Sequence, residues 1–289
     1  MADLLPRRKP DPIPQVTAVP EHLATGGLKD IYEATKTALG VPWMGVVTMA
    51  FAHFPTFYRV IWDALEPVVR TEAFFRACEV LRVNAEEQAA LLDPSDITER
   101  LSVVGYSEQE IGEILACNEI FSAGNMPYLL IATRARLMLE GNDWPRLHGA
   151  PERARTKVAD RPVLMEPHHA TADLATLFGD IRTTLGLPFV NTDYRAFARW
   201  PSYFELAWQD LRPHIARPAY ERRVTNVHET AALLARGLPN PTGLTVAELR
   251  QAAETDRQIG DVEETVRLFQ WLLPGLALNV AFFRRQLTV

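Results

Sequence analysis

The chain has 289 residues, 47% hydrophobic and 23% charged, enough apolar material for one large domain or two ordinary ones. Its formal net charge of -6, with Lys and Arg scattered, excludes the basic patch that a nucleic-acid partner would bring. Two cysteines, Cys78 and Cys117, stand apart in apolar helical patterns without a CxxC pair, which excludes a zinc ribbon and a thioredoxin-like redox pair and reads as two reduced thiols of a cytoplasmic protein.

In chain order, residues 1–24 read as a proline-rich extended arm, without the apolar h-region of a secretory leader. From Gly27 to Leu39 the residues Leu28, Ile31, Tyr32, Thr35 and Leu39 recur at helical spacing. Pro42 breaks the chain, and an apolar segment runs on to Phe54. Pro55 opens a helix with Tyr58, Ile61, Trp62 and Leu65 on one face, which Pro67 is expected to end. A long helix is predicted from Thr71 to Leu91, with Thr71 and Glu72 as capping and dipole residues. Ser107 and Glu110 form a capping box at the start of another, and Cys117–Glu140 reads as one more helix, bent near Gly124 and Pro127.

Residues 141–170 are rich in Pro, Gly, Arg and His and lack periodicity, so they read as a linker. The adjacent His168 and His169 within it read as surface histidines rather than metal ligands. Helices resume afterwards, and no strand pair with a hairpin turn is found. No apolar run reaches the ~18 residues of a spanning helix, so no membrane partner is expected. The organisation expected is an arm (1–24), a helical repeat (25–140), a linker (141–170) and a second helical repeat (171–289).

The repeat is the strongest signal. At a shift of 146, the run from Leu39 (LGVPWMGVVTMAFAHFPTFYRVIWDALEPVV) falls on the run from Leu185 (LGLPFVNTDYRAFARWPSYFELAWQDLRPHI). Gly40 meets Gly186, Pro42 meets Pro188, Phe51 meets Phe197, Pro55 meets Pro201, Trp62 meets Trp208 and Pro67 meets Pro213, with no gap. A weaker echo pairs the box Ser107…Glu110 with Thr245…Glu248, and a shift of 151 puts Gly124 on Gly275 and Asn125 on Leu276. The fold expected is all-α, a pseudo-dimer of two tandem helical repeats with one active site at their interface, since a duplicated unit normally packs about a pseudo-twofold axis.

Positions where the copies differ in polarity are informative, because core positions stay apolar in both. Gly45, Val46 and Val47 lie on Asn191, Thr192 and Asp193. One reading makes Asp193 a helix N-cap, bonding free amides of a first turn. The other makes it a carboxylate in an apolar pocket, acting as a general base. Asn125, in AGN before Met-Pro, is either a helix interruption or a second polar member of that pocket. GxGxxG, P-loop, GxSxG and HExxH motifs are all absent.

The runs LGVPW, GNMPYLL and NTDYRAFARWP, in this order and spacing, resemble the group I 2-haloacid dehalogenases over residues 25–285. The resemblance implies hydrolytic loss of halide from C2 of a small-molecule 2-haloacid, with inversion, by a water that an aspartate activates, and with no ester intermediate, no metal and no cofactor. It implies Asp193 as that aspartate and Asn125 as an asparagine that helps hold the water. Trp43, Thr192, Phe269, Leu273 and Leu276 would line the pocket. Members that accept both enantiomers carry a small residue two positions before the aspartate; here Asn191 stands there, which implies a preference for the D (R) enantiomer. Phe75 departs from members with an acid on that helix. A non-catalytic helical protein that binds small molecules is the competing reading, and whether two chains pair further is left open.

Overall fold

A proline at the first helical position gives up an N–H that would have had no helical partner anyway. Pro55 and Pro201 use this to open two helices of 15 residues each, α3 (Pro55–Val69) and α9 (Pro201–Ile215). The computed structural model describes residues 5–146 and 160–288, and among them there are helices and no strand. Before α3 lie α1 (Gly26–Leu39) and α2 (Val46–Phe51); after it come α4 (Glu72–Ala90), α5 (Thr98–Val104) and α6 (Glu108–Leu139). The second series runs α7 (Ala172–Leu185), α8 (Thr192–Phe197), α9, α10 (Pro218–Gly237), α11 (Val246–Asp256) and α12 (Ile259–Arg285). The all-α class is thus as expected. Residues 147–159 of the linker and 1–4 of the arm lie outside the described residues.

The register of 146 extends further back than 25 and 171. Val19 N–H donates to the Met49 carbonyl at 2.9 Å, and Met165 N–H donates to the Arg195 carbonyl at 2.8 Å. Short 3-10 turns follow at Glu21–Leu23 and Pro167–His169, and Thr25 and Thr171 precede α1 and α7. Both of those helices stop at a left-handed glycine, Gly40 (φ 66°) and Gly186 (φ 67°), a conformation that glycine adopts without steric cost.

Five expectations need correction. Pro67 does not end α3; it lies in the last turn, where its missing N–H removes one bond and the helix still reaches Val69. The helix opened by Ser107 and the one placed at Cys117–Glu140 are a single 32-residue helix, α6, which passes through Gly124 and Pro127. Both capping boxes form, but Ser107 caps α6 whereas Thr245 caps α11, so the boxes mark helices of different rank in the two series. Pro127 inside α6 and Pro274 inside α12 match at a shift of 147, which places Asn125 on Leu272 rather than Leu276. α12 has the length and apolarity to cross a membrane, contrary to expectation, yet 89% of its apolar window is buried within the protein, as in a core helix.

The chain clusters into two compact units. One comprises Met1–Leu81, Gly124–Asp160 and His228–Leu273; the other comprises Arg82–Ala123, Arg161–Val227 and Pro274–Val289. The divisions fall inside α4, α6, α10 and α12. In the first unit α1, α2 and the later-copy helix α11 pack on α3. In the second, α7, α8 and the earlier-copy helix α5 pack on α9. Around α3 and around α9, two helices of the same copy are thus joined by one helix from the other copy.

Within the first unit the Asp256 carboxylate, at the end of α11, accepts from the Thr56 and Phe57 N–H groups (3.0 and 2.7 Å) and so caps α3. A buried polar chain holds the arm. His228 Nε2 donates to the Leu5 carbonyl at 2.6 Å, Gln270 donates to His228 Nδ1, and Arg136 donates both to Gln270 and to the Pro6 carbonyl at 2.9 Å. The second unit is organised by a cluster of aromatic rings that includes Tyr194, Phe197, Phe204 and Phe283.

Candidate active site

In the second unit, Asn191 takes the N-cap position of α8 in an extended conformation, but its side chain makes no capping bond. Its Oδ1 is buried without a hydrogen-bond partner. Asp193 is not the cap. It is the second residue of α8 and is 3% exposed. A carboxylate so far from water costs free energy unless neighbouring groups favour its charge, and an early position in a helix does favour it. Thr192 and Leu276 are buried in the same unit.

Cys117 on α6 lies close enough to feel that carboxylate. Burial first, and then the Asp193 charge, push its thiol up to about 12. Beside it, Asn118 is wholly buried. Its amide donates to the Ile114 carbonyl and to the Tyr203 hydroxyl, both at 2.9 Å, while its Oδ1 is buried with no partner. Such an acceptor is what a bound water satisfies. Sequence reasoning passed over Asn118. The signal that was available is its spacing of seven residues from Asn125, which puts both amides on one face of α6.

Trp43, Asn125, Phe269 and Leu273 are all buried in the first unit. Here the structure brings two of the telling motifs together. The Tyr128 hydroxyl donates to the Trp43 carbonyl at 2.7 Å, their rings are 6.4 Å apart, and a Cβ on Gly124 would overlap the Trp43 indole. The GNMPY run thus has glycine where the indole of LGVPW lies on it. Phe269 meets Phe51 of α2 edge-on at 6.5 Å, and Leu273 follows it by one helical turn. Asp193, Asn191, Thr192 and Leu276 therefore belong to one unit, and Trp43, Asn125, Phe269 and Leu273 to the other. His168 and His169 are exposed, with rings 4.1 Å apart, and among the described residues no three His, Cys, Asp or Glu side chains gather to hold a metal.

The second unit offers one buried carboxylate, Asp193, and two amide oxygens without a partner, on Asn118 and Asn191, a set able to take a proton from a water and hold it.

No family model matches the chain. It is 46% identical over 246 residues to an (R)-2-haloacid dehalogenase of Rhizobium sp. (strain NHG3), covering 83% of this chain and 95% of that protein. It is 36% identical over 280 residues to an (R)-2-haloacid dehalogenase of Pseudomonas putida, covering 94% and 92%. Among solved structures, a D-2-haloacid dehalogenase mutant superposes with a TM-score of 0.89 at 35% identity, over 98% of this chain and 99% of that one. Another, a complex of such a mutant with D-2-CPA, superposes with a TM-score of 0.87 at 36% identity, over 94% and 95%. With the buried aspartate standing in the NTDY turn, the chain belongs to the 2-haloacid dehalogenase family.

Proposed function

We propose that this protein hydrolyses short 2-haloalkanoic acids to 2-hydroxy acids with inversion at C2, preferring the D (R) enantiomer. The observation that carries the reading is Asp193, a buried carboxylate at the place where the first copy has Val47, in a chain 46% identical to an (R)-2-haloacid dehalogenase. Asp193 takes a proton from a water as the water oxygen bonds to C2. The C2–halogen bond breaks on the opposite face, and its electron pair leaves as halide. Asp193 then returns the proton to solvent, so the products are the 2-hydroxy acid, halide and one proton. An apolar surround, to which Leu276 of the same unit would contribute, would strip hydration from the base and the departing halide.

Asn125 is the expected partner that helps hold the water. A second reading gives that role to Asn118, because its orphaned Oδ1 lies in the same unit as Asp193, next to the thiol that feels the carboxylate. An O–H donated to the amide and another to Asp193 would leave the lone pair of the water free for C2.

Asn191 and Thr192 precede the carboxylate, and a polar side chain at 191 would crowd one of the two C2 arrangements. The enantiomer preference rests on that position: Asn191→Ala is expected to narrow the ratio of D to L rates, and an unchanged ratio removes Asn191 from selection. The cytoplasmic placement rests on the free cysteines Cys78 and Cys117. Halide release from D- and L-2-chloropropionate tests the whole reading. Release from the D enantiomer is expected. Release from neither at millimolar substrate would leave the chain a helical small-molecule binding protein of the same fold.

A further inference from the structure

Asp193 sits in a helix of six residues, far shorter than one that holds itself in water. The direction of its carboxylate is therefore set by whatever grips α8. Two grips are present in the second unit. On one side Met165 N–H donates to the Arg195 carbonyl, Arg195 Nε donates back to the Met165 carbonyl at 3.1 Å, and Arg195 pairs with Glu166. On the other, Tyr194 is wholly buried, and its hydroxyl oxygen accepts from the Asn279 amide at 3.0 Å. Asn279 Oδ1 in turn accepts from the Tyr220 hydroxyl at 2.8 Å. The phenol ring of Tyr194 stacks on Phe204 (5.8 Å, 23°) and meets Phe283 edge-on (6.5 Å). Buried side chains of α8, α10 and α12 are thus tied in one hydrogen-bonded line.

The two grips differ in how they follow the duplication. The outer one recurs in the first copy, where Val19 N–H bonds the Met49 carbonyl without any carboxylate nearby in α2. The inner one does not recur. Thr48 stands where the second copy has Tyr194, and its hydroxyl turns back to the Gly45 carbonyl of its own turn at 2.9 Å. At the shift of 147, Ala132 stands for Asn279. A grip that both copies keep belongs to the scaffold; the buried line Tyr194–Asn279–Tyr220, whose counterparts Thr48 and Ala132 do not form it, accompanies the carboxylate, and three buried polar side chains are retained there although they cost more to desolvate than apolar ones would.

We propose that Tyr194, Asn279 and Tyr220 are positioning residues that hold the Asp193 carboxylate in register for the reaction, an inference that rests on Asp193 being the base. Misplacement of a reacting group by about 1 Å can cost on the order of a hundredfold in rate. Tyr194→Phe and Asn279→Leu are each expected to lower kcat by roughly tenfold to a hundredfold with KM changed less than about twofold, and to move the acid limb of the pH–rate profile. Tyr220→Phe is expected to act in the same direction more weakly, because Asn279 keeps its bond to Tyr194. Asp256→Ala, which loosens a cap in the other unit, supplies the control for lost stability alone: a lower Tm with kcat kept. Folded Tyr194→Phe and Tyr220→Phe variants with wild-type kcat and pH profile, beside an inactive Asp193→Asn, would overturn the inference and leave the base assignment standing. Variants that lose only Tm, as the Asp256→Ala control does, would overturn it equally. An active Asp193→Asn would instead remove the base assignment itself.

Discussion

The α2 turn of the first copy and the α8 turn of the second have nearly the same backbone and opposite chemistry. Each is six residues long, begins after an extended residue (Gly45 at φ -65°, ψ 142°; Asn191 at φ -62°, ψ 154°) and runs into an aromatic residue before a helix-opening proline. Phe54 and Trp200 at that junction agree within two degrees in φ and ψ (-116°, 80° and -118°, 79°). Yet Val47 and Thr48 in one turn answer Asp193 and Tyr194 in the other. The shared prolines, glycines and aromatic junctions set the scaffold, and the chemistry enters through side chains that leave that scaffold unchanged. The first turn is also closed to a counterpart of Asn191, since a Cβ on Gly45 would come within 2.8 Å of the Tyr128 ring, which is itself pinned to the Trp43 carbonyl.

Making the two turns equal is expected to have the largest effect. Asp193→Asn keeps shape and removes the base, and is expected to lower kcat by about a thousandfold or more with the circular dichroism spectrum kept. Adding Val47→Asp to that variant is expected to restore nothing, because the first turn has Thr48 where the second has Tyr194. Next come the two amides of α6. Removing the one that holds the water is expected to cost on the order of tenfold to a hundredfold in kcat, so Asn118→Ala and Asn125→Ala, assayed side by side, tell which of them does.

The arm clamp of the first unit gives a smaller, pH-dependent effect. Burial, reinforced by the nearby Arg136 and Arg7 cations, lowers His228 to about 4. The unfolded chain therefore binds a proton on this histidine between its ordinary pKa near 6.5 and about 4, where the folded chain does not. The contribution of His228 is complete above that window and is lost as the pH falls through it, by about 3 kcal/mol in all. Urea midpoints measured from pH 7 to pH 4 should fall more steeply for the wild type than for His228→Gln; parallel curves would contradict this. Smallest is the cap of α3: Asp256→Ala is expected to cost roughly 1–2 kcal/mol by thermal unfolding, with activity unchanged.

Much of this is legible in the amino-acid sequence. The ungapped prolines and aromatics of the repeat marked α2–α3 and α8–α9, and the polarity difference at Val47 and Asp193 marked the carboxylate. What stayed hidden depends on tertiary contact. The placing of α11 on α3 and of α5 on α9 leaves no local trace, because a helix shows only that it has an apolar face, not what covers it. Pro127 and Pro67 looked like breaks because propensity is local, whereas neighbouring helices keep α6 and α3 continuous. Asn118, followed directly by Glu119, shares a helix face with Asn125 in the sequence, but only its burial and its orphaned oxygen set it apart from a surface amide.

A base for water and a nucleophile are the two roles that the Asp193 carboxylate of the unequal second turn can take, and we propose the first. A single turnover in water labelled with oxygen-18, with enzyme in excess over D-2-chloropropionate, tests this most directly. Label is expected in the hydroxyl of the first product and none in the protein. An unlabelled first product, with label appearing afterwards on the Asp193 carboxylate, would contradict it.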